Sequence, residues 1–305
     1  MDSSHQQGPL RLGVAGLGTV GAGVLKILSA HGPLLAARAG RPLQITAVSA
    51  RNRNRDRGVD ISGFAWEDDP VALARREDVD VVVEVMGGAD GPAKAAAETA
   101  LRRGAHLVTA NKALLAAHGE ALAEAAAASG AALRFEAAVA GGIPVIKALS
   151  EGLAGNAMRR IYGVLNGTSN YILTEMARTG RDYAAILADA QRLGYAEADP
   201  TADVGGHDAA QKLALLSAIA FGARIDYGGV HVEGIERLAL LDLQSARDLG
   251  YVVKLIAHAE RRPAEAGSGA DAPDALIQRV APCLLPVDSA IGGLDGVTNA
   301  VVLDG

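Results

Sequence analysis

A single cysteine, Cys283, occurs in the whole chain. No intrachain disulfide can form, which excludes a disulfide-stapled secreted scaffold and makes a reducing compartment, the cytoplasm, the expected setting. Aromatic residues are also scarce, at 3%, so the core must be packed from Ala, Leu and Val. No block of basic residues accompanies the net charge of −6, and nucleic acid is not an expected partner. No uninterrupted run of 18 apolar residues exists, so no membrane span is expected. Residues 1–9 (MDSSHQQGP) lack the charged start and apolar stretch of a signal peptide and read as a disordered leader. Lysine is rare, 6 against 23 arginines, so a lysine beside a motif stands out.

What is present fills two ordinary domains: 305 residues, half of them apolar. Leu12–Ala15 reads as a short buried strand running into a helix that ends near Ser29. Further strands are expected at Leu43–Ser49, Val79–Val85, His106–Thr109 and Leu133–Ala138. Helices are expected at Pro92–Arg103, closed by Gly104, and at Ala113–Ser129. Strands alternating with helices predict right-handed βαβ units and a parallel sheet.

The pattern changes after Gly141-Gly142, and the domain boundary is placed near residue 140, giving domains at 10–140 and 141–305. A helix opened by proline is expected at Pro144–Leu153, a strand at Arg159–Leu165 and a turn at Asn166-Gly167-Thr168. Helices at Asn170–Arg178, Tyr183–Leu193 and His207–Phe221 follow, with a strand at Tyr251–Ala259. Residues 261–275 read as a charged loop of small residues. There is no internal repeat.

Between the first strand and helix lies Gly16-Leu17-Gly18-Thr19-Val20-Gly21. Gly-x-Gly-x-x-Gly is a weak signal alone but a much stronger one inside a βαβ unit. The glycines permit a tight turn and close backbone approach, and the helix N-terminus stabilises a pyrophosphate. The acidic residue usual at the end of the second strand is missing. That strand runs into Arg51, with Arg53, Arg55 and Arg57 behind it. A carboxylate there binds the ribose 2′-hydroxyl of NAD, whereas an arginine accommodates a 2′-phosphate, so NADP(H) is expected over NAD(H) with Arg51 as phosphate ligand. Some of these arginines are expected to be merely solvated.

A second constellation lies near the middle. Glu197, Asp199 and Asp203 precede Gly206-His207-Asp208, and Lys212 stands one helical turn after Asp208. Spacing alone fits a surface ion pair worth a few tenths of a kcal/mol. The glycines leading in, the crowded acids and the apolar helix beyond favour a cleft that grips an amine, with Lys212 as general acid. Asn111-Lys112 follows a strand at the carboxyl edge of the parallel sheet, where open α/β folds bind ligands. A lysine opening a helix opposes the helix dipole, which hints at a partner anion or a functional need.

These residues resemble the homoserine dehydrogenase family over nearly the whole chain. The resemblance is carried by GLGTVGAGV at 16–24, EVMGG at 84–88, TANK at 109–112, FEAAVAGGIPVI at 135–146, GVLNGTSNYIL at 163–173 and LGYAEADPTADVGGHDAAQK at 193–212. It implies an N-terminal Rossmann-type doubly wound parallel sheet, followed by a C-terminal α+β substrate and dimerisation domain with a mixed sheet. The implied activity is reversible NAD(P)H-dependent reduction of L-aspartate 4-semialdehyde to L-homoserine, on the route to threonine, methionine and isoleucine, by a homodimer. By the same resemblance Lys212 protonates the carbonyl oxygen with Asp208 held beside it, Lys112 lies near the nicotinamide and the reacting oxygen, and Gly87 also binds the cofactor. Glu197 and Asp203 take the substrate ammonium, and Gly167, Thr168 and Tyr195 line the pocket. A sodium ion is implied at the Glu136 side chain and the carbonyls of Val139, Gly141 and Ile143; oxygen donors suit such a hard cation.

Family members continue past Asp304-Gly305 through a second glycine-rich segment and a closing helix, and many carry an ACT domain. The chain is therefore read as truncated at its C-terminal end, without that domain. A non-catalytic nucleotide-binding relative and an amino-acid dehydrogenase with another substrate are the competing expectations.

Overall fold

The computed structural model describes residues 8–263 and 274–305. Most of the expected leader, and the middle of the expected charged loop, lie outside those residues. The chain divides into two compact units, Met1–Ala138 and Val139–Gly305.

The first unit is built from β1 (Leu10–Ala15), α1 (Thr19–Ala39), β2 (Leu43–Ser49), β3 (Ala65–Glu67), α2 (Pro70–Arg75), β4 (Val81–Glu84), α3 (Pro92–Arg102), β5 (His106–Thr109), α4 (Lys112–Ser129) and β6 (Leu133–Arg134). Its six strands lie in the order β3-β2-β1-β4-β5-β6, every pairing parallel. β4 is buried along its whole length, which is why it reads as an unbroken β-branched run. At the sheet's amino edge Asp80 accepts from the Arg11 backbone (2.9 Å) and from its Nε and Nη2 (3.1 and 2.6 Å). The guanidinium holds the Asp80 carboxyl below the usual carboxylate range.

α1 runs well beyond its expected end near Ser29. His31 (φ −121°, ψ 17°) interrupts the regular geometry two residues before Pro33, and the helix stops only at Gly40, which takes the left-handed conformation. By length and a mean hydropathy of 1.4 this helix could cross a bilayer. Here its Leu25 packs into the sheet's core with Val14, Leu17, Val48 and Val83. β6 ends at Arg134, not Ala138. Its only neighbour, β5, ends at Thr109, so the ladder stops and Glu136–Ala138 coils into a 3₁₀ turn.

The second unit contains α5 (Val145–Lys147), β7 (Arg160–Val164), α6 (Gly167–Thr179), α7 (Tyr183–Leu193), α8 (Thr201–Val204), α9 (His207–Phe221), β8 (His231–Val232), α10 (Leu240–Asp248), β9 (Tyr251–Arg262), β10 (Ala275–Pro286) and β11 (Ala300–Asp304). Its sheet is mixed: β11-β7-β9-β10 pair antiparallel and β8 adds in parallel to β10. The helix expected at Pro144–Leu153 is only one α-helical turn, continuing as a π-helix over Ala148–Gly152. Ser150 Oγ donates to the Ile146 carbonyl at 2.8 Å, a side-chain bond that competes with the regular ladder. α9 packs on β9 and β10. It buries Ala209, Leu213, Leu216 and Phe221 along with the charged Asp208; each large apolar side chain contributes about 1.5–3 kcal/mol.

Candidate active site

The strand order of the parallel sheet reverses between β1 and β4, the position where such sheets bind ligands. The glycine turn sits there. Gly16 has φ 102°, and a Cβ on it would lie 2.6 Å from the Val85 carbonyl oxygen. A Cβ on Gly21 would lie 1.9 Å from the Gly16 carbonyl oxygen. Any larger residue at either position would push β4 or α1 away. Gly18 caps α1 without a side-chain bond, so the N–H groups of the first turn remain for an anion. A cleft of about 520 Å³ opens here, bordered by Gly16, Leu17, Gly18, Arg51, Arg55 and Gly87 among others. Thr19 borders a smaller recess on the other side of the turn, and Val20 is exposed.

The four arginines after β2 divide. Arg51 and Arg55 are exposed at the cleft. Arg53 lies with its guanidinium carbon 5.8 Å from the Trp66 ring centre. Arg57 is spent on backbone carbonyls, including that of Leu17 at 3.1 Å. The sequence singles out Arg51 by its place beside the strand but does not separate Arg53, Arg55 and Arg57, whose side-chain chemistry is identical.

Across the cleft, β4 ends in a carboxylate that sequence reasoning does not single out. Glu84 is fully buried. Its Oε1 accepts from the Met86 N–H (2.8 Å) and its Oε2 from Thr109 Oγ (2.6 Å). Thr109 Oγ accepts from the Asn111 N–H (3.0 Å), and Asn111 Nδ2 donates to the Gly88 carbonyl (2.7 Å). Asn111 Oδ1 caps α4 by accepting from the Leu114 N–H (3.1 Å), so this network fixes the turn from which Lys112 projects. Glu84 and Thr109 are register partners, and that pairing is invisible without the sheet.

In the second unit Asp208 and Lys212 form a shielded pair, with side chains 10% and 16% exposed and 2.7 Å between Lys212 Nζ and Asp208 Oδ2. That exposure separates them from a surface ion pair. Lys212 Nζ also donates to the Leu165 carbonyl (2.7 Å). Asn166, expected in a turn, is instead the N-cap of α6. Its Oδ1 accepts from the Ser169 N–H (2.8 Å), while its Nδ2 donates to Asp203 Oδ1 (2.7 Å) and Asp208 Oδ2 (2.9 Å). The Asn166-Gly167-Thr168-Ser169 stretch carries this cap signal, because asparagine immediately before a helical run is a start signal. Thr168 Oγ donates to the Tyr195 carbonyl (2.6 Å), and the Tyr195 and Tyr171 rings stack at 4.9 Å and 59°. A Cβ on Gly167 would lie 2.8 Å from the Val297 carbonyl oxygen.

The structure thus gathers Gly167, Thr168, Tyr195, Asp203, Asp208 and Lys212 about the start of α6. The Glu197 side chain is exposed and makes no hydrogen bond or ion pair among the described residues. Asp199 does local work: Oδ1 accepts from the Thr201 hydroxyl (2.6 Å) and N–H (3.1 Å), which holds its carboxyl below the usual range. Glu136 lies in the 3₁₀ turn closing the first unit, and Val139, Gly141 and Ile143 open the second. Between them Ala140 has φ 48°, the one non-glycine in the left-handed region among the described residues.

A parallel sheet in this strand order, a glycine turn at its reversal point and an open helix N-terminus define the class of dinucleotide-binding α/β proteins. Comparison with known proteins narrows this. Residues 16–136 match the model of the homoserine dehydrogenase NAD-binding domain, and residues 144–305 that of the homoserine dehydrogenase domain. The homoserine dehydrogenase of Mycobacterium tuberculosis H37Rv is 47% identical over 97% of this chain and 65% of its own length. That of Corynebacterium glutamicum is 43% identical, over 96% and 64%. The crystal structure of a homoserine dehydrogenase from Thiobacillus denitrificans superposes with a TM-score of 0.90 at 42% identity, over 97% of this chain and 67% of that one. The chain belongs to the homoserine dehydrogenase family, and spans about 65% of the length of these curated relatives.

Proposed function

We propose that the chain catalyses reversible reduction of L-aspartate 4-semialdehyde to L-homoserine with a nicotinamide cofactor, as a cytoplasmic homodimer associating through its second unit. The observation that carries this reading is the shielded Lys212–Asp208 pair at the start of α6. A bound nicotinamide supplies the hydride. Lys212 has three N–H donors; the Leu165 carbonyl and Asp208 take two of them, and the third is assigned to the substrate carbonyl oxygen. As that oxygen becomes an alkoxide, Lys212 stabilises the charge and delivers a proton. Asp208, held by Asn166 Nδ2, keeps the ammonium aimed.

Glu197 and Asp203 are assigned to the substrate ammonium, with Gly167, Thr168 and Tyr195 as the walls around it. Lys112, projecting from the turn fixed by Glu84 and Asn111, is assigned to the nicotinamide end of the cofactor. NADP(H) is preferred over NAD(H), supported by Arg51 at the cleft where a carboxylate would select NAD. A sodium ion is assigned to the Glu136 carboxylate and the carbonyls of Val139, Gly141 and Ile143, because oxygen donors suit such a hard cation. The left-handed Ala140 between them is a local backbone cost of the kind retained at functional sites.

Lys212→Ala should lower kcat at least about tenfold, toward the 10²–10³ typical of a lost oxyanion partner, with little change in NADPH affinity. Steady-state kinetics beside calorimetric cofactor titration reads both, and an unchanged kcat removes Lys212 from the chemistry.

A further inference from the structure

The loop from Ala50 to Gly58 carries the arginines of the cofactor cleft but has no helix or strand of its own. Its carbonyls need partners, and Arg57 supplies them. Nε donates to Leu17 O at 3.1 Å, Nη1 to Arg55 O at 2.6 Å and Arg53 O at 3.4 Å, and Nη2 to Asn52 O. Four of the five N–H groups of a guanidinium are therefore committed to backbone. The guanidinium carbon also lies 5.9 Å from the centre of the Trp66 ring on β3. One of the carbonyls, that of Leu17, belongs to the glycine turn; the others belong to the loop bearing Arg51 and Arg55.

We propose that Arg57 is a positioning residue for cofactor selectivity: it staples the Arg51–Arg55 loop to the glycine turn and so holds both arginines where a ribose 2′-phosphate arrives. With four of its five donors on backbone carbonyls, it is assigned to the loop rather than to the phosphate. The inference rests on the NADP(H) reading above. Without the staple the loop carbonyls, which are exposed, turn to water, the fold persists, and Arg51 and Arg55 lose their fixed place. NADH has no 2′-phosphate, so the placement of Arg51 and Arg55 adds little to its binding.

The test is calorimetric titration of the 305-residue chain and two variants with NADPH and with NADH. Arg57→Ala should weaken NADPH at least about tenfold, equivalent to about 1.4 kcal/mol, while NADH changes less than about threefold. Arg57→Lys should behave like the alanine variant, since one ammonium does not span carbonyls on Leu17, Asn52 and Arg55 together. Hydrogen exchange of residues 51–58 should quicken in both variants. Equal weakening of the two cofactors, or restoration of the preference by lysine, overturns the proposal; the latter would mean that charge alone acts. No preference in the unsubstituted protein also overturns it, and that failure of the NADP(H) reading is seen before any variant is made.

Discussion

Glu197 and Asp199 stand two residues apart in one acidic stretch, yet their surroundings differ. Asp199 is consumed by Thr201 at the entry to α8, whereas the Glu197 carboxylate faces solvent with no ion pair among the described residues. A free carboxylate is what a substrate ammonium needs. Glu197→Gln should therefore raise KM for the amino-acid substrate about tenfold, about 1.4 kcal/mol of binding, with kcat much less affected. The same KM in initial-rate kinetics would contradict the assignment. At this scale the Asp208–Lys212 pair is legible from its one-turn spacing, because helix geometry converts sequence distance into contact. The carboxylate contacts of Asn166 and the role of Glu84 are not, since they depend on partners more than 20 residues away: Asp203 and Asp208 for the one, Thr109 for the other.

α6 is the element on which the second-unit site turns. Its cap, Asn166, spends its oxygen on the helix and its nitrogen on two carboxylates. Asn166→Ala should cost about 1–2 kcal/mol of stability, the sum expected from a lost N-cap and weakened carboxylate bonds. Urea unfolding of the two proteins measures it, and equal midpoints would show that the cap is dispensable. Elements with a strong local signal are readable in the chain: β4 from its β-branched run, α7 and α9 from their period and glycine ends. Short edge elements such as β3 and β8 are not, because two or three residues carry no period. The kink in α1 and the π-turn after α5 escape for another reason. They arise from a proline and a serine acting inside segments that still look helical.

For the molecule as a whole, alternation of strands and helices up to residue 138 carries the parallel sheet and, with the glycine motif at its first crossover, the cofactor cleft. The second unit is less legible. Its order β11-β7-β9-β10-β8 joins strands such as β7 and β11, which lie more than 130 residues apart, and only tertiary packing sets such a register. Family membership follows from matches over both units, while the activity of this 305-residue chain is the claim that most needs a direct reading. The measurement is nicotinamide absorbance in a mixture of the chain, NADPH and L-aspartate 4-semialdehyde. The account predicts loss of NADPH that requires both protein and semialdehyde, with homoserine as product. A chain folded by circular dichroism that binds NADPH yet consumes none with the semialdehyde would contradict it.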